Sequence, residues 1–122
     1  MPVIPPTVLK KLYVKGSLRS EETGFAFDLK NLIAPATITA VAGLDANGGR
    51  IDDSFMTILP PSGNPRPADR ISPSTPLEFP VGVVVTLQVA DKPLESGQHD
   101  LMLHVTIKEI GSLSIPISDS VG

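Results

Sequence analysis

The chain has 122 residues, 41% of them hydrophobic, with thirteen acidic against ten basic side chains and a formal net charge of −3. That length suits one domain with one core, and so mild a charge excludes a disordered or strongly charged polypeptide. Ten basic residues with four Phe, one Tyr and no Trp supply neither the charge nor the stacking surfaces of a nucleic-acid binder, and the lack of cysteine excludes disulfides, thiolate metal sites and thiol catalysis.

Apolar runs such as Val83 to Val85 fall far short of the roughly 20 residues of a membrane helix. Met1 to Pro6 has neither the charged lead nor the apolar run of a signal peptide. The expectation is a soluble, cytoplasmic protein with no membrane and no nucleic acid among its partners. Thirteen prolines and ten glycines leave little room for long helices, and they suit short strands joined by turns.

Pro2 to Pro6 reads as a stiff extended lead that could follow a sheet edge. Thr7 to Leu12 could form one helical turn capped by Thr7, but the alternation of Leu12, Val14 and Leu18 with Lys11, Tyr13 and Lys15 favours a strand to Arg19. Ser20 to Gly24 then forms a five-residue hairpin loop. Phe25, Phe27, Leu29 and Ile33 follow as one face of a strand that Ala34-Pro35 breaks. Thr37 to Leu44 is a β-branched strand, and Asn47-Gly48 marks a tight hairpin.

Phe55 to Leu59 is a strand leading into Pro60 to Pro76, a long proline-rich loop without apolar period. Leu77 to Gly111 reads as the central hairpin: Val83, Val85, Leu87 and Val89 on one face of the first strand, and Leu101, Leu103, Val105 and Ile107 on one face of the second. Ala90 to Gln98 would be its turn. Ser112 to Ser118 is a last strand, and Pro116 sends it to a sheet edge. These are about seven strands in one all-β domain, an Ig-like antiparallel β-sandwich spanning residues 1–122.

Candidate chemistry is sparse. His99 and His104 fall on opposite faces of one strand and cannot share a metal there. His99 reads as a satisfied, half-buried residue, and His104 as a surface or interface one. Asp45 to Asp53 resembles a calcium loop, but counted from Asp45 its sixth residue is Arg50 and its twelfth Met56, where an EF-hand needs Gly and Glu. There is no Gly-x-Ser-x-Gly elbow and no glycine-rich phosphate loop, and Asp52-Asp53 point apart in extended chain. No catalytic set, cofactor site or metal site is expected. Arg66, Asp69 and Arg70 on the proline-rich loop could grip a carboxylate or a partner surface.

The landmarks Gly24-Phe25-Ala26-Phe27, Asn47-Gly48, the loop from Pro60 to Pro76, Phe79-Pro80-Val81-Gly82 and Leu94-Glu95-Ser96-Gly97-Gln98-His99 follow one another in order. In that order they resemble the small (beta) subunits of the C-glycoside deglycosidase family. The resemblance implies a β-sandwich accessory subunit beside a separate barrel that carries the chemistry. The expected function is therefore a non-catalytic accessory or self-associating module, with a carbohydrate- or ligand-binding domain as the alternative. Only Tyr13 offers an aromatic platform for a sugar. Val84, Thr86, Met102 and His104, read as the outward side of the central hairpin, carry no long charged side chain, so that face is expected to meet a protein partner or a second copy.

Overall fold

The computed structural model describes residues 5–61 and 64–121. Met1 to Ile4, and with them most of the proline lead, lie outside the described residues, as do Ser62 and Gly63 of the long loop. The strands are β1 (Arg19–Glu21), β2 (Gly24–Lys30), β3 (Ala36–Ala46), β4 (Gly49–Ile51), β5 (Met56–Leu59), β6 (Arg66–Pro67), β7 (Leu77–Phe79), β8 (Val84–Val89), β9 (Gly97–Ile107) and β10 (Gly111–Val121). They form an all-β sandwich of two antiparallel sheets. The first runs β1-β2-β8-β5-β6; the second runs β10-β9-β3-β4, with β7 beside β4 on the outer edge of β3.

Alternation decides the core. Phe25, Phe27 and Leu29 of β2, Val85 and Leu87 of β8, and Met56 and Ile58 of β5 turn inward from the first sheet. Leu101, Leu103, Val105 and Ile107 of β9 meet them from the second, with Ile115 and Ile117 of β10. In β3 the buried residues Ile38, Val41 and Leu44 are three apart, a spacing that a regular strand would send to alternating faces. Two register shifts, between Ile38 and Ala40 and between Val41 and Gly43, re-aim them onto one face. Gly43 sits at the second shift with φ +133°, and a side chain there would meet the Ile51 carbonyl and the Arg50 guanidinium.

Several expectations hold. The Asn47-Gly48 turn closes β3 onto β4 with φ values of 50° and 89°, the doubly left-handed turn that matches strand twist. β10, which contains Pro116, is an edge strand.

Others need correction. Among the described residues there are ten strands, the seven expected and three more, β4, β6 and β7, each only two or three residues long. The stretch from Pro6 to Leu12 is helical, an α-turn (Pro6–Leu9) running into a 3₁₀ turn (Lys10–Leu12). This turn puts Leu9 and Leu12, three residues apart, into the core together, which an extended strand would not. The loop after β1 is only Glu22-Thr23, since Glu21 already pairs with Gly24.

The largest correction concerns the centre. β8 and β9 are not a hairpin: β8 lies between β2 and β5 in one sheet, while β9 lies between β3 and β10 in the other. The segment 90–96 carries the chain across the sandwich. The true hairpin is β9–β10, in full register from Ile107 and Gly111 to Gly97 and Val121.

Leu87→Ala and Leu103→Ala, each truncating a core residue of a different sheet, should each destabilise the fold by about 2–5 kcal/mol in urea unfolding. Gln88→Ala and Thr106→Ala, on the outer faces, should shift stability by under about 0.5 kcal/mol. Equal losses in the two sets would contradict the facing described here.

Candidate functional site

The strongest feature lies at one end of the sandwich, where residues 31–35 leave β2 and residues 80–83 enter β8. The two loops are clasped by backbone bonds, Asn31 N–H to the Val83 carbonyl (3.1 Å) and Gly82 N–H to the Asn31 carbonyl (2.7 Å). The Asn31 side chain is buried and fully used. Its amide donates to the carbonyls of Ala34 (2.7 Å) and Phe79 (2.6 Å), and its Oδ1 accepts from Ile33 N–H (3.0 Å).

Around this polar clasp the surface is apolar. Among the described residues the exposed large hydrophobic side chains are Leu32 (55% exposed), Ile33, Phe55, Val81 (53%) and Val84. All but Phe55 belong to these two loops or to the first residue of β8. A cavity of about 130 Å³ opens beside them between the sheets. Leu29, Val85 and Leu87 wall it from the first sheet, and Ile38, Leu103 and Val105 from the second. Ile33, Pro35 and Glu109 stand at its exposed mouth. The Glu109 carboxylate accepts from the Thr37 N–H and hydroxyl (3.0 Å each), and the Thr37 backbone bond is the main cause that holds its pKa below the usual carboxylate range.

A second arrangement crosses the outer face of the other sheet. Arg50 of β4 reaches the Asp45 carboxylate of β3 (3.1 Å); the other oxygen of Asp45 meets His104 Nε2 of β9 (2.8 Å); His104 Nδ1 meets the Ser114 hydroxyl of β10 (2.9 Å). A carboxylate only accepts, so Nε2 carries the hydrogen, and in the neutral ring Nδ1 accepts from Ser114. The row has the composition of a serine–histidine–aspartate triad. Yet Ser114 is exposed on an open sheet face, without a cleft to exclude water and hold an acyl group. It acts as a cross-strand ladder that joins four strands. The bond from His104, ahead of Arg50, keeps Asp45 below the usual aspartate pKa.

The other predicted residues disperse. His99 is half-buried and satisfied: Nε2 donates to the Glu95 carbonyl (2.7 Å), and Nδ1 accepts from the Asn47 amide (2.8 Å). Val84 and Thr86 lie on the outer face of one sheet and Met102 and His104 on the outer face of the other, so the single contact face drawn through all four does not exist. Alternation had sorted inward from outward correctly; the crossing at 90–96 separates the two outward sets.

Arg66 turns back into its own loop, donating to the Thr75 carbonyl (2.8 Å), while Asp69 and Arg70 are exposed on a 3₁₀ turn (Ala68–Arg70). Buried Ala68 and Ile71 pin that turn to the core, so the part of the proline-rich loop around it is anchored. Tyr13 is no sugar platform: it is buried beside Phe27, and its hydroxyl donates to Asp119 (2.6 Å) and accepts from Leu18 N–H (2.9 Å). Among the described residues no three His, Asp or Glu side chains gather as a metal site.

The family model described as hydroxymethylglutaryl-CoA reductase, N-terminal domain, matches residues 8–122. The chain belongs to that family. This hydroxymethylglutaryl-CoA reductase N-terminal domain family is not the one its sequence landmarks resemble, and one of those landmarks, Leu94 to His99, runs from the inter-sheet crossing into β9 rather than forming a hairpin turn. No curated protein matches the chain. Among solved structures, it is similar to a family 123 glycoside hydrolase from Clostridium perfringens at 17% identity and a TM-score of 0.33, over 80% of this chain and 20% of that one. The chain thus spans about one-fifth of that enzyme's length. No helix among the described residues is long and apolar enough to cross a membrane.

The Asp45 row gives a signed prediction. A carboxyl whose folded pKa lies below its unfolded value of about 3.9 stabilises the fold above that value, and loses this contribution as pH falls through the folded pKa. A carbon-13 titration of the Asp45 carboxyl should place its midpoint below the ordinary aspartate range, and His104→Ala should raise it. An Asp45 midpoint indifferent to that substitution would contradict the ladder.

Proposed function

We propose that this chain is a non-catalytic β-sandwich module that joins a larger enzyme through its apolar end. The observation that carries this reading is the gathering of Leu32, Ile33, Val81 and Val84, four of the exposed large hydrophobic residues, on two clasped loops and the first residue of β8 at one end. A protein surface rarely collects such side chains without a use, and a partner that covers them removes that apolar area from water.

The family description supports a module of this kind, since it names an N-terminal domain of hydroxymethylglutaryl-CoA reductase. On this reading the reductase chemistry belongs to protein outside this chain. The resemblance to the small subunits of C-glycoside deglycosidases supports the coarse form of the same role, a sandwich set beside a catalytic partner. A sugar-binding role has less support, because Phe25, Phe27 and Phe79 are buried, as is Tyr13, and Phe55 alone is exposed among the aromatics.

Native mass spectrometry tests the proposal on the chain co-expressed with the polypeptides encoded beside it. A stable complex is expected, and Leu32→Glu with Val81→Glu should weaken it by at least about tenfold, while unfolding of the isolated chain shifts little. No complex, or a complex indifferent to both substitutions, would overturn it.

A further inference from the structure

The cavity between the sheets has a chemistry of its own. Its walls are almost wholly aliphatic, and its polar neighbours are already engaged. The Asn31 amide is spent on the carbonyls of Ala34 and Phe79 and the N–H of Ile33, and the Glu109 carboxylate on Thr37. No buried side-chain nitrogen or oxygen among the described residues lacks a partner. A water inside would need two to four polar partners and would find too few, so a space of this kind stays dry. Its volume of about 130 Å³ is close to the roughly 150 Å³ that accepts a benzene-sized guest in an aliphatic core. Exposed Ile33 and Pro35 leave the mouth at the surface, so a guest can exchange without unfolding the sandwich.

We propose that this cavity is a binding site for a neutral apolar group of about six carbon atoms, a small ring or the end of an alkyl chain. An anionic head is turned away at the mouth, where the exposed Glu109 carboxylate stands. The site discriminates by desolvation: a charged group carried inside would lose its hydration and find no counter-charge among the aliphatic walls. This inference concerns the interior of the chain alone and does not depend on the assembly proposed above.

The test is a methyl-resolved NMR titration of the chain with benzene and, separately, with benzoate. Benzene should give saturable shifts at the methyls of Leu87, Leu103 and Ile38, and should raise the melting temperature by several degrees near saturation. Benzoate should leave those methyls unmoved. Leu87→Phe, which fills the space, should abolish the benzene shifts in a chain that still shows the dispersed spectrum of a folded sandwich. The proposal is overturned if benzene leaves the cavity methyls unshifted, if it shifts only surface methyls such as those of Leu32 and Val81, or if benzoate binds as well as benzene. Should Leu87→Phe not fold, the wild-type comparison of benzene with benzoate still decides the matter.

Discussion

Five hydrogen bonds meet at Asn31, three through its side chain and two through its backbone, and the end of the sandwich is built on them. The side chain is held between β2, which it follows, the Phe79 carbonyl at the end of β7, and the loop that turns at Ala34. It thereby links the first sheet to the second beside the cavity that opens between their apolar faces. A buried amide with every polar atom paired is stable, whereas a partly paired one costs about 1–3 kcal/mol per orphaned group. The loops are therefore held as a unit, with Leu32, Ile33 and Val81 turned outward and the cavity left open behind them. The apolar surface and the cavity share this one cause.

The crossing from β8 to β9 has the second-largest consequence. It gives the molecule two outer faces of different character. One carries Val84, Thr86 and Asp28, with the Thr86 hydroxyl donating to Asp28 (2.7 Å). The other carries the Arg50–Asp45–His104–Ser114 row, which ties β4, β3, β9 and β10 together and uses Gly43 to let the arginine lie over the strand. His99 and Asn47 then fasten the crossing to the β3–β4 turn. Both histidines thus do positional work between strands and loops.

What was legible in the sequence follows from what alternation encodes. Period-two patterning in Val83 to Val89, Leu101 to Ile107 and Leu113 to Ile117 identified three strands and the side each buries, because burial depends only on which face meets the core. It could not say which strand lies beside which: β8 and β9 bury the same kind of face whether paired or facing each other across the sandwich. Ile38, Val41 and Leu44 hid their common facing behind two bulges. Ala68 and Ile71, three apart inside a proline-rich stretch, were a readable sign of an anchored turn. The polar row spans residues from 45 to 114 and needs the pairing of four strands before it exists at all. Ile33 looked like the end of a strand, and only the clasp at Asn31 turns it and its neighbours into a surface.

The end of the sandwich rests on that clasp, and amide hydrogen exchange of the chain and of Asn31→Ala examines it most directly. The amides of Ile33 and Gly82, bonded to the side chain and the carbonyl of Asn31, should be protected in the parent chain. In the variant they should exchange at least about tenfold faster, the effect of losing ~1.4 kcal/mol of local stability, and faster relative to the central amides of Leu87 and Leu103. If Ile33 and Gly82 exchange as freely as unfolded chain in the parent, or exchange no faster in the variant, the end of the sandwich is not organised by Asn31, and the account is contradicted.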